Sequence, residues 1–314
     1  MSTYTEVRPT LGPGRTAGVA LSVLGGSCLA LQSRINGELG HQLGDGIAAA
    51  TVSFGVGLVV MLLALPWMHR NTRRIVHALR SGQLRWWQCI GGACGAFLVT
   101  TQGLTVPWLG VSIFIVALVA GQSASSLAMD RLGVGPGGTR LITRNRAIGA
   151  VLCVVAVVIA VGDSFGDPRS LGFAALPLLA GIGVAWQQGV NGRVALAATS
   201  PWPATLLNFA VGTVALLVAL GVETAVRGGG PPGAFPAEPW LYVGGPLGIV
   251  FIAISAAVVH RIGVLLLGLG MIAGQILGAL TIDAVLPGPA GRPDLLTLTG
   301  AALTLLAVRI ASRG

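Results

Sequence analysis

The chain has 314 residues, of which 54% are hydrophobic and 9% charged, with a formal net charge of +9 and a mean hydropathy of +0.83. A soluble globular chain carries about 25% charged residues, so this one cannot cover its apolar surface in water and must have lipid as its solvent. The positive balance, which in a soluble chain would suggest nucleic acid, here follows from the placement of arginines beside membrane spans, and no nucleic-acid partner is expected.

A membrane helix needs about 20 apolar residues. Charge-poor runs of that order occur ten times, at 17–36, 46–66, 86–106, 110–129, 146–162, 171–190, 203–222, 240–259, 263–282 and 294–311. They are about twice the length of a membrane barrel strand and do not alternate apolar with polar residues, which argues against a β-barrel. No small-residue cleavage signature follows the first run, and nine more runs come after it. It reads as a retained helix rather than a secretion signal. The expected fold class is an all-α polytopic membrane protein with ten transmembrane helices.

All 19 basic residues are arginine. Five lie in the loop after the second run (Arg70, Arg73, Arg74, Arg80, Arg85) and four in the loop after the fourth (Arg131, Arg140, Arg144, Arg146). Cytoplasmic loops are the arginine-rich ones, so both loops are assigned inside, and both termini with them. Fifteen arginines then fall inside and four outside (Arg34, Arg169, Arg227, Arg292), while the acids Glu38, Asp45, Asp163, Asp167, Glu223, Glu238 and Asp294 fall outside. Trp67, Trp86, Trp87, Trp108 and Trp240 sit at run edges, as interfacial anchors do.

The chain repeats itself. "LALQSRINGEL" at 29–39 and "VAWQQGVNGRV" at 184–194 place Gln32 and Gln187, Asn36 and Asn191, and Gly37 and Gly192 at one offset of 155. "SFGVG" at 53 matches "NFAVG" at 208, "GGACG" at 91 matches "GGPLG" at 244, and "AGQSASSLAMD" at 120 matches "AGQILGALTID" at 273. "IGAVLCVVAV" at 148 aligns with "TGAALTLLAV" at 299. The expected organisation is a duplicated five-helix unit, 1–162 and 163–314, with its junction near "GDSFGDPRSLG". Because five is odd, the second unit enters from the opposite side. The halves are expected to be inverted about an axis in the membrane plane, an architecture of many secondary transporters. The glycines of "GGACG" and "GGPLG", spaced four apart, suit close helix packing in lipid.

Ten helices in an inverted five-helix repeat resemble the drug/metabolite transporter superfamily. The pattern "ALQSRING", "SFGVG", "GG…G" and "GQ…D" resembles its YdcZ-type bacterial inner-membrane family in the fused tandem form, over nearly the whole chain. The resemblance implies an inner (plasma) membrane transporter working on a small-molecule substrate. Small multidrug exporters of the superfamily resemble one another in a helix 1 glutamate; helix 1 here has no carboxylate before Glu38, so that proton-coupling device is not implied.

Polar side chains in lipid seek partners, which marks the repeated ones as candidates. Gln32 and Asn36 share a face at i, i+4 spacing, as do Gln187 and Asn191. The Asn-Gly pairs read either as helix C-caps or as part of a gate. Gln122 and Gln275 fall near the middle of helices 4 and 9 and read as substrate contacts or interhelical hydrogen bonds. Asp130 and Asp283 lie toward opposite helix ends, as solvated or arginine-paired residues or as ion-coupling groups. The cysteines (Cys28, Cys89, Cys94, Cys153) form no C-x-x-C pair, and the histidines show no ligand spacing. No metal, cofactor, catalytic residue or enzyme activity is expected. The reading is alternating-access transport of a small polar metabolite or organic cation; the alternative is a non-transporting assembly or lipid-handling partner.

Overall fold

The computed structural model describes residues 13–136, 138–139, 141–160, 168–227, 234–288 and 291–311. The junction residues 161–167, with Asp163 and Asp167, and Arg140 lie outside them. The described chain forms nine α-helices: α1 (Pro13–Leu43), α2 (Gly46–Leu63), α3 (Leu65–Arg80), α4 (Gly92–Arg131), α5 (Arg144–Ala160), α6 (Pro168–Ala198), α7 (Pro201–Arg227), α8 (Gly244–Val285) and α9 (Leu295–Ala311). Short 3₁₀ turns at Trp86–Cys89 and Pro239–Tyr242 lead into α4 and α8.

Two helices are hairpins. With 40 residues, α4 would extend about 60 Å if straight, twice a hydrocarbon core. It breaks after Pro107 at Gly110, whose φ of 75° and ψ of 167° suit a residue without a Cβ. Its first arm runs back along α6, with Gly91 at Asn191 and Gly95 at Gln187, and its second returns beside it, with Gly121 at Leu178 and Val134 at Gly189. The 42-residue α8 does the same along α1. Gly244 lies at Asn36 and Gly248 at Gln32, then Gly274 at Val23 and Gly288 at Arg34. Counting both arms of α4 and α8, ten apolar helical segments match the ten runs.

Among the described residues six stretches are long and apolar enough to cross a membrane, the third and fourth runs joining in one of them, and Leu295–Ala311 is a shorter apolar helix.

The second arm of α4 is the mast of the bundle. From Val111 to Ala120 every residue except Ile113 is buried, and α5, α6, α8 and α9 contribute side chains around it. Trp67, Trp86, Trp108 and Trp240 are exposed. Trp87 instead stacks on Trp186, centroids 6.4 Å apart.

Contacts between the two halves occur in pairs with the halves exchanged. Gly92 lies against the carbonyl of Asn208, and Gly245 against that of Ser53. Gly121 meets the carbonyl of Leu178, and Gly274 that of Val23; Gly149 meets Ala307, and Gly300 meets Ala156. Each backbone approaches so closely that a Cβ has no room, which explains the matched glycines. The turns match too. Gly44 and Thr199, offset by 155, both take positive φ, 64° and 53°, and both bond back to the helix they end.

Two expectations need correction. Asn36-Gly37 and Asn191-Gly192 are not C-caps, since α1 continues to Leu43 and α6 to Ala198. Asp283 is not a solvated terminal residue, being only 5% exposed. The arginine-rich loop after the second run contains the amphipathic helix α3, with Met68, Ile75 and Ala78 buried.

Candidate functional site

Asn36 on α1 donates from Nδ2 to Gln102 Oε1 at 2.6 Å, and Gln102 donates from Nε2 to Ser33 Oγ at 2.9 Å. Ser33 donates onward to the Leu29 carbonyl at 2.9 Å. Asn36 Oδ1 lies toward Gly244, the first residue of α8, where Ser53 Oγ also approaches. Neither oxygen has a partner among the described residues. The α8 N-terminus at this point has no side-chain cap. One turn deeper, the Gln32 amide and the tip of Phe209 both lie at Gly248.

The second half repeats the glycine contacts of this arrangement with partners exchanged. The Gln187 amide and the tip of Phe54 both lie at Gly95, and Asn191 Oδ1 lies at Gly91, which precedes α4 and gives it no side-chain cap. Asn208, the match of Ser53, also holds a buried oxygen without a partner among the described residues. Between the half-sites the rings of Phe54 and Phe209 meet at 5.1 Å, tilted by 46°. Each ring also seats on the other half's glycine, Phe54 on Gly212 and Phe209 on Gly57. The resulting column runs Gln32, Phe209, Phe54, Gln187.

Matched residues differ in exposure. Gln32, Asn36 and Gln275 are 5%, 0% and 1% exposed, whereas Gln187, Asn191 and Gln122 are half-buried. Gln122 donates to Gln188 Oε1 at 3.1 Å at the α4–α6 contact. Gln275 lies in the α1–α8 contact beside Gly26, its Oε1 without a partner among the described residues. The two central glutamines thus occupy separate helix contacts flanking the column.

The aspartates have different surroundings. Asp283 accepts from the backbone N–H groups of Val111 at 3.1 Å and Ser112 at 2.6 Å, capping the second arm of α4 just past Gly110. Asp130 pairs with Arg146 and its side chain is 33% exposed. Among the described residues no group of three or more His, Cys, Asp or Glu could hold a metal ion.

Sequence reasoning passed over Phe54, Phe209, Ser53, Asn208 and Gln102. The first four stand in the repeated "SFGVG" and "NFAVG" and could have been found by asking which bulky or polar residues recur. Gln102 could not: its match at offset 153 is Ser255.

Two shallow clefts lie away from the column. One of about 350 Å³ is lined by Ser27, Leu31, Leu277 and Thr281, and one of about 180 Å³ by Gly40, Asp45, Gly103 and Trp108.

The family model described as "Putative inner membrane exporter, YdcZ" matches the chain twice, over residues 17–159 and 172–310. No curated protein matches it significantly.

Proposed function

Because the chain belongs to the YdcZ family of the drug/metabolite transporter type, as a tandem of two family units in a multi-pass inner-membrane protein, we propose that it exports a small polar metabolite or organic cation by alternating access. The units, 1–162 and 163–314, lie inverted about an axis in the membrane plane, with both termini cytoplasmic. The family description supports export, and the paired glycine contacts support inversion, since matched contacts that recur with partners exchanged are a mark of two-fold symmetry and α2 and α7 pair antiparallel, Phe54 at Gly212 and Phe209 at Gly57.

The observation that carries the reading is the unequal burial of matched residues. Gln32, Asn36 and Gln275 are buried while Gln187, Asn191 and Gln122 are half-buried. Two units of similar sequence held in different conformations imply a second state in which they exchange roles. Exchanging them would open the Gln32 half-site and close the Gln187 half-site.

In this mechanism the Phe54–Phe209 pair is the central barrier. A solute gives up water for the amides of Gln187 and Asn191, then passes the rings to Gln32 and Asn36. Gln122 and Gln275 flank the path and supply further hydrogen bonds. The amides are neutral and offer both donors and acceptors, which favours a hydrated polar solute. A coupling ion would compete with Arg146 for Asp130 and with two buried N–H groups for Asp283, so Asp130 is the more readily exchanged.

Flux into proteoliposomes, measured for a panel of labelled sugars, amino acids and organic cations, tests the proposal. Saturable flux of one class that weakens in Gln187→Leu supports it. If no solute moves, and a fluorescent phospholipid instead exchanges between leaflets, the lipid-handling alternative holds.

A further inference from the structure

Helix α3 is amphipathic and has no match among the described residues of the second half, where α7 runs on to Arg227. Its sequence, LPWMHRNTRRIVHALR, contains no acid. Met68, Ile75 and Ala78 are buried; Ile75 and Ala78 pack with Leu84, Val194, Ala198 and Ala204, and Met68 with Met61 and Leu206. Arg70, Arg73, His77 and Arg80 are spaced three, four and three residues apart, which aligns them along another face. All four are exposed. Between these faces runs an exposed apolar edge with Val76 and Leu79, and Trp67 projects near the start of the helix, 86% exposed. Among the described residues none forms an ion pair with Arg70, Arg73 or Arg80.

Like charges at i, i+3 and i+4 spacing destabilise a helix when nothing neutralises them. A cationic stripe beside an apolar edge is the pattern of a helix lying in the membrane interface, its edge among acyl chains and its cations at headgroup level. The flanking residues agree, since Leu62 and Leu63 at the end of α2 and Trp86 beyond α3 are also exposed. We infer that α3 is a docking surface for anionic phospholipid headgroups, with Arg70, Arg73 and Arg80 as the phosphate contacts.

The position of α3 gives such binding a consequence. Arg74 donates to the Thr199 hydroxyl, in the turn joining α6 to α7, and the apolar face of α3 packs on the last turns of α6. Helix α6 also carries Gln187 and Asn191. Lipid held on α3 therefore bears on the helix whose half-site is the exposed one, and anionic lipid steadies that helix.

The test is thermal unfolding of the purified full-length chain in neutral detergent, titrated with phosphatidylglycerol, phosphatidylcholine or inorganic phosphate. Phosphatidylglycerol should stabilise the protein and the other two should not. Each interfacial arginine is worth about fivefold in affinity for an anionic surface, so Arg70→Gln, Arg73→Gln and Arg80→Gln together should raise the half-stabilising concentration about a hundredfold. The three lysine replacements should preserve the response, and so should Arg131→Gln with Arg144→Gln on the other basic loop. Equal stabilisation by phosphatidylcholine, a matching response to inorganic phosphate, or a wild-type titration by the triple glutamine variant would overturn the inference. If the triple variant fails to fold, Arg70→Gln alone should still shift the titration about fivefold, and an unshifted curve counts against the docking surface. The measurement needs no transported solute, so its outcome is separable from that of the flux experiment.

Discussion

Replacing Asp283 by alanine removes both acceptors from the start of the second α4 arm. The N–H groups of Val111 and Ser112 are then left without their bonds of 3.1 and 2.6 Å. Hydrogen bonds to charged groups contribute about 1.5–3 kcal/mol each, but these two share one carboxylate and one cap, and cap deletions alone cost about 0.5–2 kcal/mol. The carboxylate also sits at the positive end of a helix, in a partly buried geometry worth up to about 2 kcal/mol. These terms overlap, so the expected loss is about 2–4 kcal/mol for Asp283→Ala and about 1–2 kcal/mol for Asp283→Asn, whose amide oxygen retains one bond. For a chain of this size that is a fall in apparent melting temperature of about 4–8 °C and 2–4 °C respectively. Asp130→Ala breaks a partly exposed ion pair and should cost no more than about 1 kcal/mol. The assay is thermal unfolding in detergent, with each variant also reconstituted for flux. A wild-type melting temperature in Asp283→Ala with flux abolished would refute the cap and assign Asp283 to ion coupling. Equal losses from the two aspartates would refute the argument from burial.

Thr199 is a β-branched residue with φ of 53°, and such a conformation costs a non-glycine residue about 1–2 kcal/mol. Thr199→Asn, which tolerates it and can still accept from Arg74, should raise stability by about 0.5–1 kcal/mol; a lowered melting temperature would show that the threonine is not strained. Gly92→Ala and Gly245→Ala push a methyl into a neighbouring carbonyl and should each cost about 1–3 kcal/mol. Gly55→Ala on α2, with open space around it, should stabilise by up to about 1 kcal/mol; three similar melting shifts would contradict the packing. Gln122→Leu and Gln275→Leu should each weaken affinity for the transported solute by about 1–2 kcal/mol in calorimetry on folded protein, and wild-type binding by both would make these glutamines packing contacts.

The apolar runs and the duplication were legible because hydropathy records the solvent and the offset drifts only in loops, from 155 to 151. Helix ends were not. Hydropathy marks where a helix leaves the bilayer, and α1 carries Glu38, His41 and Gln42 on for a further two turns, so Asn36-Gly37 resembled a terminus that lies at Leu43. Arginines hid α3, although Met68, Ile75 and Ala78 are spaced as one buried face. The capping role of Asp283 depends on Val111 and Ser112, more than 170 residues away in sequence, which no local pattern reveals. Repeat comparison finds what both halves share, so it pointed to the amides and the glycines but could not reach Gln102 or α3.

In the proposed mechanism the two half-sites take turns facing opposite sides of the membrane. It is tested by single cysteines at Gln32 and Gln187, in a background lacking Cys28, Cys89, Cys94 and Cys153, labelled with an impermeant maleimide in right-side-out and inside-out vesicles. Each cysteine should label from one side only, and the two from opposite sides. Bridging introduced cysteines at Asn36 and Gly244, which touch in the structure, should abolish labelling at position 32 and leave position 187 reactive. Labelling of both from the same side, or labelling of position 32 undiminished by the bridge, would contradict it.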